Sequence, residues 1–287
     1  MRVVAVIITV GALAAYAATP AAAVGVVGDA DVAALQVALR AAGAYLGDVD
    51  GRRGPDTEEA LVSFQERVGL APDGIAGPRT RRALGDLGTP ELGSRSLTIG
   101  ARGWDVAELQ FKLAWHGFPS GPFDGAFGPR LEAAVRRFQR FADLPMVGIA
   151  GPRTMAALGR PLPTSPLALS APVAAPVGDG FGPRGNAFHA GIDFVAPAGT
   201  PVVSAGAGRV VWAAVLGSFG NTVVVRHRRG IRTLYAHLSQ IDVDLLDRVS
   251  TRTRLGLVGS TGRSTGPHLH FEVRLRGAAV DPLGALD

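Results

Sequence analysis

The 287-residue sequence contains no cysteine. That excludes a disulfide scaffold, cysteine-ligated zinc fingers, iron–sulfur clusters and thiol catalysis, and leaves His, Asp and Glu as the side chains able to hold a metal. Lysine is nearly missing as well. Lys112 is the sole one, so the 29 basic residues that outnumber 24 acidic ones are otherwise arginine. Charged residues make up only 18% of the chain against 47% hydrophobic, which excludes a largely disordered protein. The net charge of +5 suits an anionic partner. Scattered arginines and a 6% aromatic content argue against nucleic acid as that partner. Beyond the N-terminus no run is long and apolar enough to span a bilayer. The His-Glu-x-x-His motif of many metalloproteases is absent.

What is present begins with an address. Arg2 precedes an apolar run from Val3 to Ala18, and small residues follow at Ala21 and Ala23. This pattern predicts a secretory signal peptide over residues 1–23, hence a secreted or cell-envelope protein with no stable membrane insertion after cleavage. Retention of the segment as an anchor is the alternative.

The first half is written twice. Asp31-Val32-Ala33 recurs as Asp105-Val106-Ala107, Leu35-Gln36 as Leu109-Gln110, Asp50-Gly51 as Asp124-Gly125, and Phe64-Gln65 as Phe138-Gln139. The block from Gly74 to Thr80 returns intact as Gly148 to Thr154, and every pair is 74 positions apart. Val32, Leu35 and Leu39 form one helical stripe, Gly43 (returning as Gly117) is a helix stop, and Pro78 suits a first helical position. Each copy therefore reads as three short helices, over residues 29–87 and 103–160. The copies resemble the peptidoglycan-binding domain of the DVxxLQ…DG…FQ…GIAGPxT type. That resemblance implies a small three-helix module that docks on bacterial wall polymer. Two departures stand out: Arg53 replaces the aromatic kept as Phe127, and Val147 replaces the acid kept as Asp73. His116, the one histidine of this half, is expected on the surface in a last helical turn, where positive charge is welcome.

Five prolines between Pro161 and Pro176 mark a semi-extended linker over residues 161–175. Beyond it the hydrophobic period shortens. Val202-Val203, Val210-Val211-Trp212 and Val223-Val224-Val225 predict a mainly antiparallel β-sheet domain over residues 176–287. The expected fold class is multidomain α + β, two small helical modules followed by that sheet domain.

Five of the six histidines fall between residues 189 and 270. His189 has Asp193 four residues on, and His237 follows a turn at Arg228-Arg229-Gly230. His268, His270 and Glu272 alternate, so on a strand they share one face, with Leu269 and Phe271 on the other. Neutral imidazoles plus a carboxylate suit zinc, and three protein ligands leave one position open. Spacing does not decide which of His268 and His270 binds metal. Glu272 is either a partner of a ligand imidazole or an exposed strand carboxylate. His227 either faces the same groove as His237 or ends its strand in solvent.

Phe181-Gly-Pro-Arg184, His189-Ala-Gly-Ile-Asp193, Tyr235-Ala-His237-Leu-Ser239, Gly259-Ser-Thr-Gly262 and Ser264-Thr-Gly-Pro-His-Leu-His-Phe-Glu272 resemble the lysostaphin/LytM-type zinc endopeptidases, peptidase family M23. The resemblance runs over nearly all of residues 172–287. It implies a secreted metallopeptidase that hydrolyses peptide bonds in bacterial peptidoglycan with one zinc per chain. It makes His189, Asp193 and His270 the zinc ligands, and His237 and His268 the non-ligand catalytic pair. A monomer is expected. Arg184 and Asn186 either contact substrate or shape the loop before His189. The family often has glycine turns where this chain has Leu246 and Arg252. The alternative function is a catalytically silent wall-binding protein or an activator of another hydrolase. Loss of a ligand would signal it, but all five site positions are filled.

Overall fold

Six α-helices, two short 3-10 helices and thirteen strands make up the regular structure of the described residues, 27–287, in the computed structural model. The expected signal peptide over residues 1–23 lies outside the described residues. Among those residues no helix is long and apolar enough to cross a membrane.

The first repeat contains α1 (Ala30–Ala41), α2 (Pro55–Arg67) and α3 (Pro78–Ala83); the second contains α4 (Trp104–Trp115), α5 (Pro129–Phe141) and α6 (Pro152–Leu158). The punctuation works as the sequence implies. α2, α3, α5 and α6 each open on a proline that follows a glycine N-cap. Asp29 caps α1 by accepting from the Asp31 and Val32 N–H groups.

Buried glutamines explain the longest duplicated motifs. Gln36 Oε1 accepts from Gly51 N at 2.9 Å while its Nε2 donates to Asp50 Oδ1 at 2.8 Å. Gln110 repeats this with Gly125 N at 3.0 Å and Asp124 Oδ1 at 2.8 Å. Gln65 and Gln139 clamp the next turn through Gly74 N and Gly148 N, both at 2.9 Å, and through the Ile75 and Ile149 carbonyls. A buried amide needs its donors and acceptors met, so the turn sequence is fixed with the glutamine. At Val147 the second copy lacks the carboxylate by which Asp73 also binds Gln65.

His116 is not on the surface. It is 4% exposed, its Nε2 meets the Leu158 carbonyl at 3.0 Å, and its ring lies edge-on to Phe138. The helix-end argument assumes a solvated terminus, but the end of α6 covers this one. Burial lowers the ring's pKa and the Leu158 bond opposes that.

The sheet domain holds β1 (Val177–Asp179), β2 (Gly182–Arg184), β3 (Ala187–His189), β4 (Ile192–Phe194), β5 (Pro201–Val203), β6 (Gly208–Val215), β7 (Asn221–Arg226), β8 (Ile231–Leu238), β9 (Gln240–Ile241), β10 (Arg248–Val249), β11 (Arg254–Leu257), β12 (Leu269–Leu275) and β13 (Ala278–Val280). The main sheet runs β1-β4-β12-β8-β7-β6-β10 with β13 beside β12, and all its pairings are antiparallel. Leu269, Phe271 and Val273 of β12 point into the core with Val223, Val225 and Tyr235. The opposite face of β12 is left for chemistry.

Part of the proline-rich segment belongs to this core. Leu169 and Val173 are buried in it, and Leu169 bridges to Leu286 beside the C-terminus. The helical half is also packed onto the sheet domain. Trp115 lies edge-on to Phe181 and Phe188, with centroids 6.3 and 5.3 Å away. Gly185 N donates to Asp48 Oδ1 at 2.7 Å, Phe123 N to the Asn186 carbonyl at 2.6 Å, and Ala279 N to the Gly117 carbonyl at 3.0 Å.

Candidate functional site

Three neighbouring strands bring the histidines together. His270 of β12 pairs in register with Asp193 of β4 on one side and Ala236 of β8 on the other. His189 ends β3, and the short turn to β4 lays it over β12. Gly191 permits this approach, because a Cβ there would stand 2.4 Å from the Phe271 carbonyl. His268 enters β12 through a bridge to Gly259. The expected alternation holds: His268, His270 and Glu272 all line a groove of about 1220 Å³, with Leu269 and Phe271 on the core side.

His237 reaches the groove by a different device. Val223 pairs with Tyr235 and Asn221 with Leu238, so two steps on β7 face three on β8. Tyr235 and Leu238 both point into the core, and plain alternation would send His237 there too. The extra residue turns it outward with φ of 61°. A left-handed conformation at a non-glycine residue costs about 1–2 kcal/mol, a strain held here beside reactive groups.

The geometry fixes which nitrogen of each ring is open. His189 Nδ1 donates to the Gly180 carbonyl at 2.7 Å, His237 Nδ1 to Thr261 at 2.8 Å and His268 Nδ1 to Gly266 at 2.8 Å. A carbonyl only accepts, so in each neutral ring Nε2 is left as a lone pair. His270 is held the other way round. Its Nε2 donates to Glu272 Oε1 at 3.2 Å, which turns Nδ1 toward Asp193 Oδ1 at 2.8 Å. His189 Nε2 lies 3.0 Å from His270 Nδ1 and 3.2 Å from Asp193 Oδ1. These three separations approach the edge of about 3.3 Å expected of a tetrahedral zinc site with N and O ligands. His268 Nε2 is 3.9 Å from the same Asp193 oxygen, and the His237 and His268 ring centroids are 4.8 Å apart.

Electrostatics matches. Burial opposes ionisation of Asp193, but the adjoining His189 and His270 rings hold its carboxyl far below the usual range. Burial likewise disfavours the charged His270 ring, yet Asp193 and Glu272 push its pKa up to about 9. The pull that keeps a proton on His270 would equally hold a cation. His237 goes the other way: burial lowers its pKa despite the Thr261 bond.

Glu272 is 1% exposed and bound to both His270 and Arg274, which decides for a partner of the imidazole over an exposed carboxylate. His227 fits neither expectation. It is 7% exposed, away from the groove, and tied to the Ala207 carbonyl at 2.9 Å and Thr233 Oγ1 at 2.8 Å. The turn leading into β6 and Thr233 of β8 cover it. Arg184 reaches Asp193 Oδ2 at 3.3 Å and Asp179 at 3.0 Å, while the Asn186 carbonyl holds the second repeat. Leu246 and Arg252 take φ of 76° and 69°, so the glycine-type turns persist without glycine. Three groove features were not foreseen. Phe219 stacks obliquely on His270 at 5.5 Å, Arg274 continues the β12 parity, and Pro119 and Gly121 form a wall from the second repeat. Only Arg274 had a signal, its period-2 spacing from His270.

Peptidase family M23 matches residues 187–282, which contain all five of these positions. The chain carries a peptidase family M23 domain. The peptidoglycan binding domain family matches residues 28–84 and 102–158, the two helical repeats ahead of the M23 domain. Similar proteins include the DD-carboxypeptidase/endopeptidase Mpg of Neisseria meningitidis serogroup B, 47% identical over 96 residues, covering 33% of this chain and 22% of the relative. The peptidoglycan DD-endopeptidase ShyA of Vibrio cholerae is 46% identical over 97 residues, covering 34% and 23%. The chain thus spans less than a quarter of the length of these curated relatives. The catalytic domain of lysostaphin from Staphylococcus simulans is 34% identical, with 38% of this chain and 90% of that one covered and a TM-score of 0.37.

Proposed function

We propose that this chain is a secreted zinc endopeptidase that hydrolyses peptide bonds in bacterial peptidoglycan, with residues 29–87 and 103–160 binding the wall and residues 176–287 cutting it. One observation carries the reading. His189 Nε2, Asp193 Oδ1 and His270 Nδ1 converge in one groove with the open nitrogens of His237 and His268. Three ligand atoms that face one another within 3.2 Å suit a shared cation, and two imidazoles with a carboxylate fit zinc. The names of the relatives add the substrate class.

His189, Asp193 and His270 would hold the zinc, and Glu272 and the Gly180 carbonyl orient the two rings. When bound, the metal would supply Lewis acidity that acidifies water and polarises a carbonyl. His237 and His268 handle protons. Their Nδ1 atoms are tied to carbonyls, so each offers Nε2 to the groove. One takes a proton from water, and the other stabilises the oxyanion or protonates the leaving amine. The lowered His237 pKa keeps that ring neutral, and so able to accept a proton, near neutral pH.

Digestion of purified sacculi, with and without chelator and with mass analysis of released fragments, tests the reading. Peptide-bond cleavage that chelator abolishes and zinc restores is expected. Intact sacculi after incubation with zinc-loaded protein would contradict it.

A further inference from the structure

We infer that the seam between the second repeat and the sheet domain forms a subsite for a free carboxylate of the peptide stem, gripped by Arg137 of α5 and Arg274 of β12. This rests on the peptidoglycan endopeptidase reading. A cavity of about 230 Å³ lies between Gly117 and Pro119 of the repeat and Ala190 and Ala279 of the sheet domain, with the two arginines in its lining. Pro119, Ala190 and Arg274 also line the histidine groove, so the cavity adjoins the place where substrate would lie. Arg274 stands four residues from His270 on the same strand face, roughly 13 Å away. A stem carboxylate about four residue lengths from the reacting bond would reach it.

The charge balance favours an anion. Arg274 Nε is bound to Glu272, which cancels one charge and leaves the terminal nitrogens for a ligand. Arg137 makes one bond, from Nη2 to the Pro119 carbonyl at 3.3 Å, and among the described residues no carboxylate pairs with it. Burial lowers the Arg137 pKa, and the nearby Arg274 charge lowers it further. Guanidinium forks match a carboxylate through paired hydrogen bonds. An anion between them would relieve the repulsion.

The test compares a cross-linked stem-peptide dimer carrying free carboxylates with the same dimer fully amidated, using the full zinc-loaded chain. The wild type should show a KM about tenfold lower for the free acid, at similar kcat, which corresponds to about 1.4 kcal/mol. Arg137→Gln should raise KM for the acid about tenfold and leave the amidated dimer unchanged, and Arg137→Lys should recover part of the loss. Equal treatment of both dimers by the wild type, or an equal effect of Arg137→Gln on both, would overturn the subsite. If neither dimer is cut, the endopeptidase reading fails. Calorimetric titration of both dimers into the chain then decides the subsite alone: about tenfold tighter binding of the acid, lost in Arg137→Gln, supports it, and equal binding refutes it.

Discussion

In the first repeat the aligned positions are Ala30, Val37, Ala41, Ala44 and Val49; in the second they are Trp104, Phe111, Trp115, Phe118 and Phe123. Both copies keep the glutamine bonds to the turn glycine N–H and to a turn carbonyl, so these differences are not needed for the clamps. Phe118 packs on Phe138 and Phe141 of its own repeat; the others serve neighbours. Trp104 and Phe111 fill the core shared with α1, and Trp104 Nε1 donates to Asp31 at 2.9 Å beneath the Arg81 guanidinium. Trp115 packs on Phe181 and Phe188 of the sheet domain. The second copy packs its aromatics against both neighbours, whereas the first meets the sheet domain through hydrogen bonds of Asp48 and Val49 with Gly185. A duplicated module can keep its internal hydrogen bonds and still acquire a new packing role by aromatic substitution alone.

The largest way to break this contrast is Trp115→Ala. Loss of so large a buried aromatic should cost about 3–5 kcal/mol. Because the ring touches the sheet domain, denaturant melting should show the sheet domain destabilised with the repeats. An unchanged sheet transition would mean that the halves are not coupled.

Next comes the pair Gly117 and Gly43. Both take positive φ, 86° and 71°. A Cβ on Gly117 would meet the Ala279 carbonyl oxygen at 2.2 Å, whereas one on Gly43 has nothing within 4 Å. Gly43→Ala should cost about 1 kcal/mol from backbone strain alone, and Gly117→Ala about 3 kcal/mol with added overpacking. Equal losses in calorimetric melting would deny that the second repeat is seated on β13 through this glycine.

A smaller effect sharpens the comparison by pH. Glu108 stands where the first repeat has buried Ala34, and burial pushes its pKa up to about 7 against a bond from Leu92 N. The folded state therefore keeps a proton that the unfolded chain releases between about pH 4.5 and 7. This group's contribution to stability is present below that window and is lost as pH rises through it. Glu108→Gln keeps an acceptor for Leu92 and removes the titration. Melting temperature across pH 5–8 should flatten, with a gain of about 1–2 kcal/mol at pH 8. A pH profile identical to the parent's would place the proton elsewhere.

Features set by local sequence were legible: the two three-helix repeats, their Gly–Pro openings, and the alternation of His268, His270 and Glu272. Features set by distant chain were not. His116 is covered by the end of α6 and His227 is tied to Ala207, and neither burial leaves a mark near the histidine in sequence. His237 depends on one extra residue in β8 relative to β7, which no periodicity in β8 alone reveals. The packing of Leu169 and Val173 into the sheet core was hidden by their prolines. The aromatic series in the second repeat was a visible sign of an additional face to bury.

The central claim is that Nδ1 of His270 and Nε2 of His268 open on one groove but do different work. Zinc content, melting temperature and peptide hydrolysis of His270→Ala and His268→Ala test it most directly. His270→Ala should lose zinc and the stability that metal binding adds. His268→Ala should keep both near wild type, while turnover falls by roughly 10²–10⁴-fold. Equal loss of zinc from both variants would contradict the account and make the two imidazoles joint ligands.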